Sequence, residues 1–116
     1  MKSTSLKIPE KINNEMLQQV VKSGYGLRGK SKWIVEAIQA FLQMDDYVEL
    51  INIASDMENN YKTLTFRLSQ ELVAELDRGI LHARTKYPLM EGVQSNIIRA
   101  SIMQRLIRDD DIDVII

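Results

Sequence analysis

Two short stretches carry side chains whose types and spacing suit binding chemistry. In Ser3-Thr4-Ser5-Leu6-Lys7-Ile8, alternation puts Ser3, Ser5 and Lys7 on one face of a strand and Thr4, Leu6 and Ile8 on the other. In Lys62-Thr63-Leu64-Thr65-Phe66-Arg67-Leu68, it puts Thr63, Thr65 and Arg67 opposite Leu64, Phe66 and Leu68. Each polar face combines two hydroxyls with a cation and has no carboxylate. Hydroxyls donate and accept, and the cation favours an anionic partner. A six-residue strand leaves its backbone groups unpaired, so these two stretches are expected to pair with each other.

A third stretch, Gly24-Tyr25-Gly26-Leu27-Arg28-Gly29-Lys30-Ser31, fits the phosphate-loop pattern GxxxxGK[ST] letter for letter. In a nucleotide hydrolase that loop follows a buried strand of a parallel sheet. Here Ile12, Met16 and Val20 precede it at helical spacing, and no acidic strand for magnesium follows. Nucleotide binding through Gly24–Ser31 is therefore the remote alternative. The same chemistry, a helix N-terminus opening at Lys30-Ser31-Lys32, suits a phosphate of another kind.

Composition removes several function classes. The 116 residues include no cysteine and a single histidine, His82, so neither thiolate nor multi-histidine metal sites can form and no conventional triad is available. No cofactor, metal or catalytic residue is expected. No apolar run approaches a membrane span and no signal-peptide core follows Met1, so the expected location is cytoplasmic and nucleoid-associated, with no membrane partner. The net charge of −1 conceals a pattern: residues 1–44 sum to +4, 45–60 to −5, 61–108 to +4 and 109–116 to −4. Two basic units, each followed by an acidic segment, suit a polyanionic partner better than the average implies.

The elements that must position these residues follow in order. Pro9 suits the first turn of a helix whose stripe is Ile12, Met16 and Val20, with Leu17 and Val21 beside it. Gly24 suits a left-handed cap. A second helix opens near Lys30, with Ser31 a candidate N-cap and apolar positions Trp33, Ile34, Ala37, Ile38, Ala40, Phe41, Leu42 and Met44. Tyr47, Leu50, Ile51, Ala54 and Met57 predict a connecting helix over 46–57, ended by Glu58-Asn59-Asn60. The pattern then repeats. An offset of sixty carries Leu6, Ile8, Ile12, Met16, Val20 and Val21 onto Phe66, Leu68, Leu72, Leu76, Ile80 and Leu81. The turn is four residues longer, and beyond it an offset of sixty-four carries Ser31, Trp33, Ile34, Ile38 and Leu42 onto Ser95, Ile97, Ile98, Ile102 and Leu106.

Strand, helix, glycine-and-serine turn and helix, as in "SLKIPEKINNEMLQQVV" followed by "GKSKWIVEAIQAFL", resembles the ribbon-helix-helix DNA-binding family typified by the Arc and MetJ repressors. "LTFRLSQELVAEL" followed by "GVQSNIIRASIMQRL" is a looser copy, and two copies in one chain are similar to the TraY-type accessory proteins of plasmid conjugation. The resemblance implies a mainly α fold with one two-stranded antiparallel β-ribbon, a tandem ribbon-helix-helix. Its parts are module 1 over 1–44, an acidic connecting segment over 45–60, module 2 over 61–108 and an acidic-apolar tail over 109–116. It implies that the ribbon enters the major groove of double-stranded DNA with Ser3, Ser5, Lys7, Thr63, Thr65 and Arg67 toward the bases. Phosphates fall to Gly29, Lys30, Ser31 and Lys32 and, in the second copy, to Gln94, Ser95 and Asn96, where Gln94 stands in place of a lysine. The expected function is a sequence-specific transcriptional repressor or a conjugation or partition accessory factor. The chain would be a pseudo-dimer by itself, with room for a higher homo-oligomer on DNA. The alternative from another class is an antitoxin-like or scaffolding module that uses the fold only to associate.

Overall fold

A computed structural model describes residues 2–26, 28–55 and 62–115, with the side chains of the last helix as far as Asp109. The elements run β1 (Lys2–Ile8), α1 (Glu10–Lys22), α2 (Lys30–Leu42), α3 (Tyr47–Ala54), β2 (Lys62–Leu68), α4 (Gln70–Lys86) and α5 (Val93–Ile115). The protein is mainly helical, with one two-stranded antiparallel sheet among the described residues.

The strands pair in the register Lys2 with Leu68, Ser5 with Thr65 and Ile8 with Lys62. Under the offset of sixty, Ser5 maps onto Thr65 and also pairs with it. Lys7 and Arg67, which the offset also relates, therefore lie on the same face, two residues to either side of that central pair. Leu6, Ile8, Leu64, Phe66 and Leu68 on the opposite face are buried. Seven-residue strands with this alternation make a one-sided ribbon, and the helices cover its apolar side.

A single core runs through all seven elements. Trp33, Ile34, Ile38 and Phe41 of α2 meet Ile97, Ile98, Ile102 and Leu106 of α5, and α3 adds Val48 and Ile51. The radius of gyration of 13.7 Å fits one body, since about 13 Å is expected for one domain of this length. Helix ends follow local chemistry. Ser69 caps α4 by accepting from the Leu72 amide at 3.2 Å, and Gly24 takes φ 83° after α1. Gly79 lets α4 approach α2 closely: a Cβ there would stand 2.9 Å from Leu42 Cδ2.

Three expectations are corrected. Leu17 and Val21 are exposed, as is Leu81, the equivalent of Val21; Met16 and Val20 are buried in the core and Ile12 is half-buried against it. The buried strip of α1 is narrower than the apolar spacing suggests: Met16 and Val20 lie inside it and Leu17 and Val21 outside. Ser31 is not the N-cap of α2. Gly29 holds that position and Lys30 is already helical, so the serine hydroxyl is released for a different bond. The connecting helix runs over Tyr47–Ala54, starting a residue later than expected; its expected end at 56–57 and the Glu58-Asn59-Asn60 stop lie outside the described residues.

Tyr47 of α3 donates to or accepts from His82 Nδ1 at 2.7 Å, and the two rings meet edge-on. Burial raises the Tyr47 pKa above its ordinary value. A phenol raised in the fold stabilises it fully below the ordinary value of about 10, and that stabilisation is lost as pH rises through the folded value. Tyr47→Phe should therefore flatten the fall in stability above about pH 10, measured as urea midpoints across alkaline pH. Phe66→Ala should cost about 3–5 kcal/mol, since it empties a fully packed site under the ribbon. Because the strands pair within one chain, the melting midpoint should stay constant over about a hundredfold range of protein concentration; a rising midpoint would place the pairing between chains.

Candidate nucleic-acid interface

The ribbon's outward face is built by the register. Ser3 stands opposite Arg67, Ser5 opposite Thr65 and Lys7 opposite Thr63, and all six residues are exposed. Directly opposed side chains on one face of an antiparallel pair are close enough to bond. Ser5 Oγ and Thr65 Oγ1 are 2.9 Å apart at the centre, and Lys7 Nζ donates to Thr63 Oγ1 at 2.5 Å at one end. At the other end, neither the Ser3 hydroxyl nor the Arg67 guanidinium has a hydrogen-bond partner among the described residues. The face thus holds four hydroxyls, one ammonium and one guanidinium, with no carboxylate.

Each long edge of the ribbon meets the start of a helix. On the β2 side, Ser31 Oγ accepts from the backbone N–H of Arg67 at 3.0 Å. That bond satisfies an edge amide, and it fixes the first turn of α2, with Lys30 and Lys32, beside the Arg67 end. No side chain caps this helix, so its N-terminal partial positive charge adds to the two lysines. Gly29 permits the entry: a Cβ there would stand 2.3 Å from the Tyr25 carbonyl oxygen. On the β1 side lies the first part of α5. Arg99 Nε donates to the Lys7 carbonyl at 2.7 Å, and Gln94 Nε2 donates to Thr4 Oγ1 at 3.4 Å.

The expected phosphate residues therefore separate. Gly29, Lys30, Ser31 and Lys32 stand together at the ribbon's edge, and Gln94 and Ser95 stand at the other. Asn96 is only 4% exposed; its amide donates to the Glu91 carbonyl and its oxygen accepts from Arg99. It serves the helix start and is not presented to a ligand. The phosphate-loop segment Gly24–Ser31 follows helix α1, where a nucleotide hydrolase would need a strand of a parallel sheet. Among the described residues no three His, Asp or Glu side chains are grouped to hold a metal, and no helix is long and apolar enough to cross a membrane.

Two cations that shape this region escape a reading by motif. Arg99 ties α5 to β1, and burial lowers its pKa from the ordinary guanidinium value. Arg105, its side chain 16% exposed, lies over the Trp33 ring at 4.6 Å and donates to the Trp33 carbonyl at 2.8 Å, to the Tyr25 hydroxyl at 3.0 Å and to Glu36 at 3.3 Å. Tyr25 also donates to Glu36. The offset of sixty-four places Arg105 on Phe41, a core aromatic. An arginine where the other copy has an apolar core residue is the sequence signal that could have found it. Its work is to hold Tyr25, and with it the turn that leads into Lys30. Trp33 Nε1 beneath it is buried without a hydrogen-bond partner among the described residues, a cost of about 1–3 kcal/mol that the stacked guanidinium helps offset.

No family model, curated protein or solved structure matches the chain.

Arg105→Ala should lower stability by about 1.5–3 kcal/mol, the range for hydrogen bonds to a charged group. Arg105→Lys should recover little of it, because an ammonium cannot reproduce the planar fork over the indole. Urea unfolding followed by Trp33 fluorescence measures both.

Proposed function

We propose that this protein binds double-stranded DNA sequence-specifically, laying the ribbon in the major groove, as a transcriptional repressor or as an accessory factor of plasmid conjugation or partition. The carrying observation is the exposed face of Ser3, Ser5, Lys7, Thr63, Thr65 and Arg67 on a ribbon whose other face is buried. A two-stranded ribbon fits a groove about 12 Å wide, and side chains alternating outward reach base edges from it. Arg67 offers a planar fork that matches the O6 and N7 of guanine, while Lys7 offers a point charge and the hydroxyls read less selectively. Gly29, Lys30, Ser31 and Lys32 suit a backbone phosphate beside one strand, with Gln94 and Ser95 their uncharged counterparts; Asn96 is left out of the phosphate set.

On this reading the chain is a tandem ribbon-helix-helix, and one molecule supplies the pseudo-twofold unit that single-module relatives assemble from two. The pairing of Ser5 with Thr65, its equivalent under the offset, is what such a relation requires, since an axis between two equivalent strands passes through an equivalent pair. A homo-oligomer on DNA remains compatible with it, because one ribbon spans few base pairs.

A second reading, association with a protein partner, has its own observation. Leu50, Ile53 and Ala54 of α3 and Met103 and Ile107 of α5 line an apolar cleft of about 300 Å³, with Ile53 and Ile107 exposed. The two readings separate on duplex retention, which falls with salt only if DNA is the ligand.

Arg67→Ala should weaken binding to a selected site by about 1–3 kcal/mol and relax the preference there, with folding unchanged because the side chain has no partner among the described residues. Lys30→Ala and Lys32→Ala should each reduce the log–log salt slope by about 0.9 and weaken all duplexes alike. Equal binding by the parent and Arg67→Ala would remove the ribbon as reader.

A further inference from the structure

The two ends of the ribbon face are unequal in three ways, and all three favour the same end. At the Lys7 end, the ammonium is already bonded to Thr63 Oγ1 at 2.5 Å. At the Arg67 end, the guanidinium and the opposing Ser3 hydroxyl have no partner among the described residues. A base that approaches Lys7 must replace a bond, and one that approaches Arg67 replaces only water. The groups also differ in kind: a guanidinium makes two directed bonds to one guanine, whereas an ammonium rotates freely and selects poorly. Finally, the flanks differ. Ser31, 3.0 Å from the Arg67 amide, lies between Lys30 and Lys32, both without ion-pair partners among the described residues. Beside β1, residues 93–98 carry no charge, and the first cation, Arg99, is spent on the Lys7 carbonyl and Asn96.

Resting on the DNA reading above, we infer that the protein recognises a duplex site without twofold symmetry, in which the half under Arg67 and Ser3 carries most of the sequence information and includes a guanine. The half under Lys7 and Thr63 is held with little base preference. The same register that makes the two strands equivalent in backbone therefore makes them unequal as readers. A symmetric dimer of one module could not do this, because both halves of its face would be identical.

Selection of duplexes from a random pool by the full-length protein tests the inference, repeated with Arg67→Ala, Arg67→Lys and Lys7→Ala. The selected parental sequence should lack a dyad and concentrate its information in one guanine-containing half. Arg67→Ala should erase that half and lose about tenfold or more in discrimination. Arg67→Lys should keep affinity for the pool while losing the guanine preference, and Lys7→Ala should return the parental sequence. Circular dichroism confirms that each variant is folded. A palindrome selected by the parent, or a Lys7→Ala pool that loses as much as the Arg67→Ala pool, overturns the inference and leaves DNA reading in place. A parental pool with no enriched sequence overturns both.

Discussion

A strand of seven residues cannot satisfy its own backbone in water-excluded surroundings, and the whole architecture answers that constraint. Among the described residues, Lys2–Ile8 and Lys62–Leu68 pair only with each other. Their pairing gathers Leu6, Ile8, Leu64, Phe66 and Leu68 onto one side, which demands a cover of helices. It also leaves each strand with an unpaired outer edge, and the starts of α2 and α5 close those edges. Ser31 meets an amide of β2, and Arg99 meets a carbonyl of β1. The helix starts stand beside the polar face because an edge has to be satisfied there. The placing of Lys30 and Lys32 beside the polar face is thus the by-product of ordinary backbone accounting.

Much of this was legible in the residues. Alternation alone identified both strands and which face of each is buried. The offset of sixty relates Ser5 to Thr65, and the register pairs the same two residues. Helix existence followed from apolar spacing, and Ser69 and Gly24 acted at helix ends as their chemistry suggests. The exposure of Leu17, Val21 and Leu81 was not legible. Spacing says that a helix has an apolar side but not how wide a strip its neighbours cover.

Polar groups were read less well. Ser31, Arg99 and Arg105 find partners on segments remote in sequence: Ser31 reaches β2, Arg99 reaches β1, and Arg105 reaches Tyr25 and Trp33. Local pattern made Ser31 a cap, and the family resemblance made Asn96 a ligand for phosphate. Tertiary placement gave the first to a strand edge, and a local bond at the start of α5 gave the second to the Glu91 carbonyl. Long cationic side chains are the hardest to assign, since their reach spans several candidate acceptors. Only the comparison of Arg105 with Phe41 in the other copy carried a hint.

The separation of the two strands along the chain also sets an order of events in folding. Helix α1 and the turn after it form from near neighbours, but β1 has to wait until residues 62–68 exist and have been brought back across three helices. Contacts between such distant segments pay the loop-closure entropy first and are rewarded last. Until then each strand is an apolar-patterned edge without a partner. A nascent chain is thus most exposed to a neighbour's second strand just before its own arrives, and an exchanged pair would satisfy every bond of the proper one. The acidic stretch over 45–60 lies between the two strands along the chain.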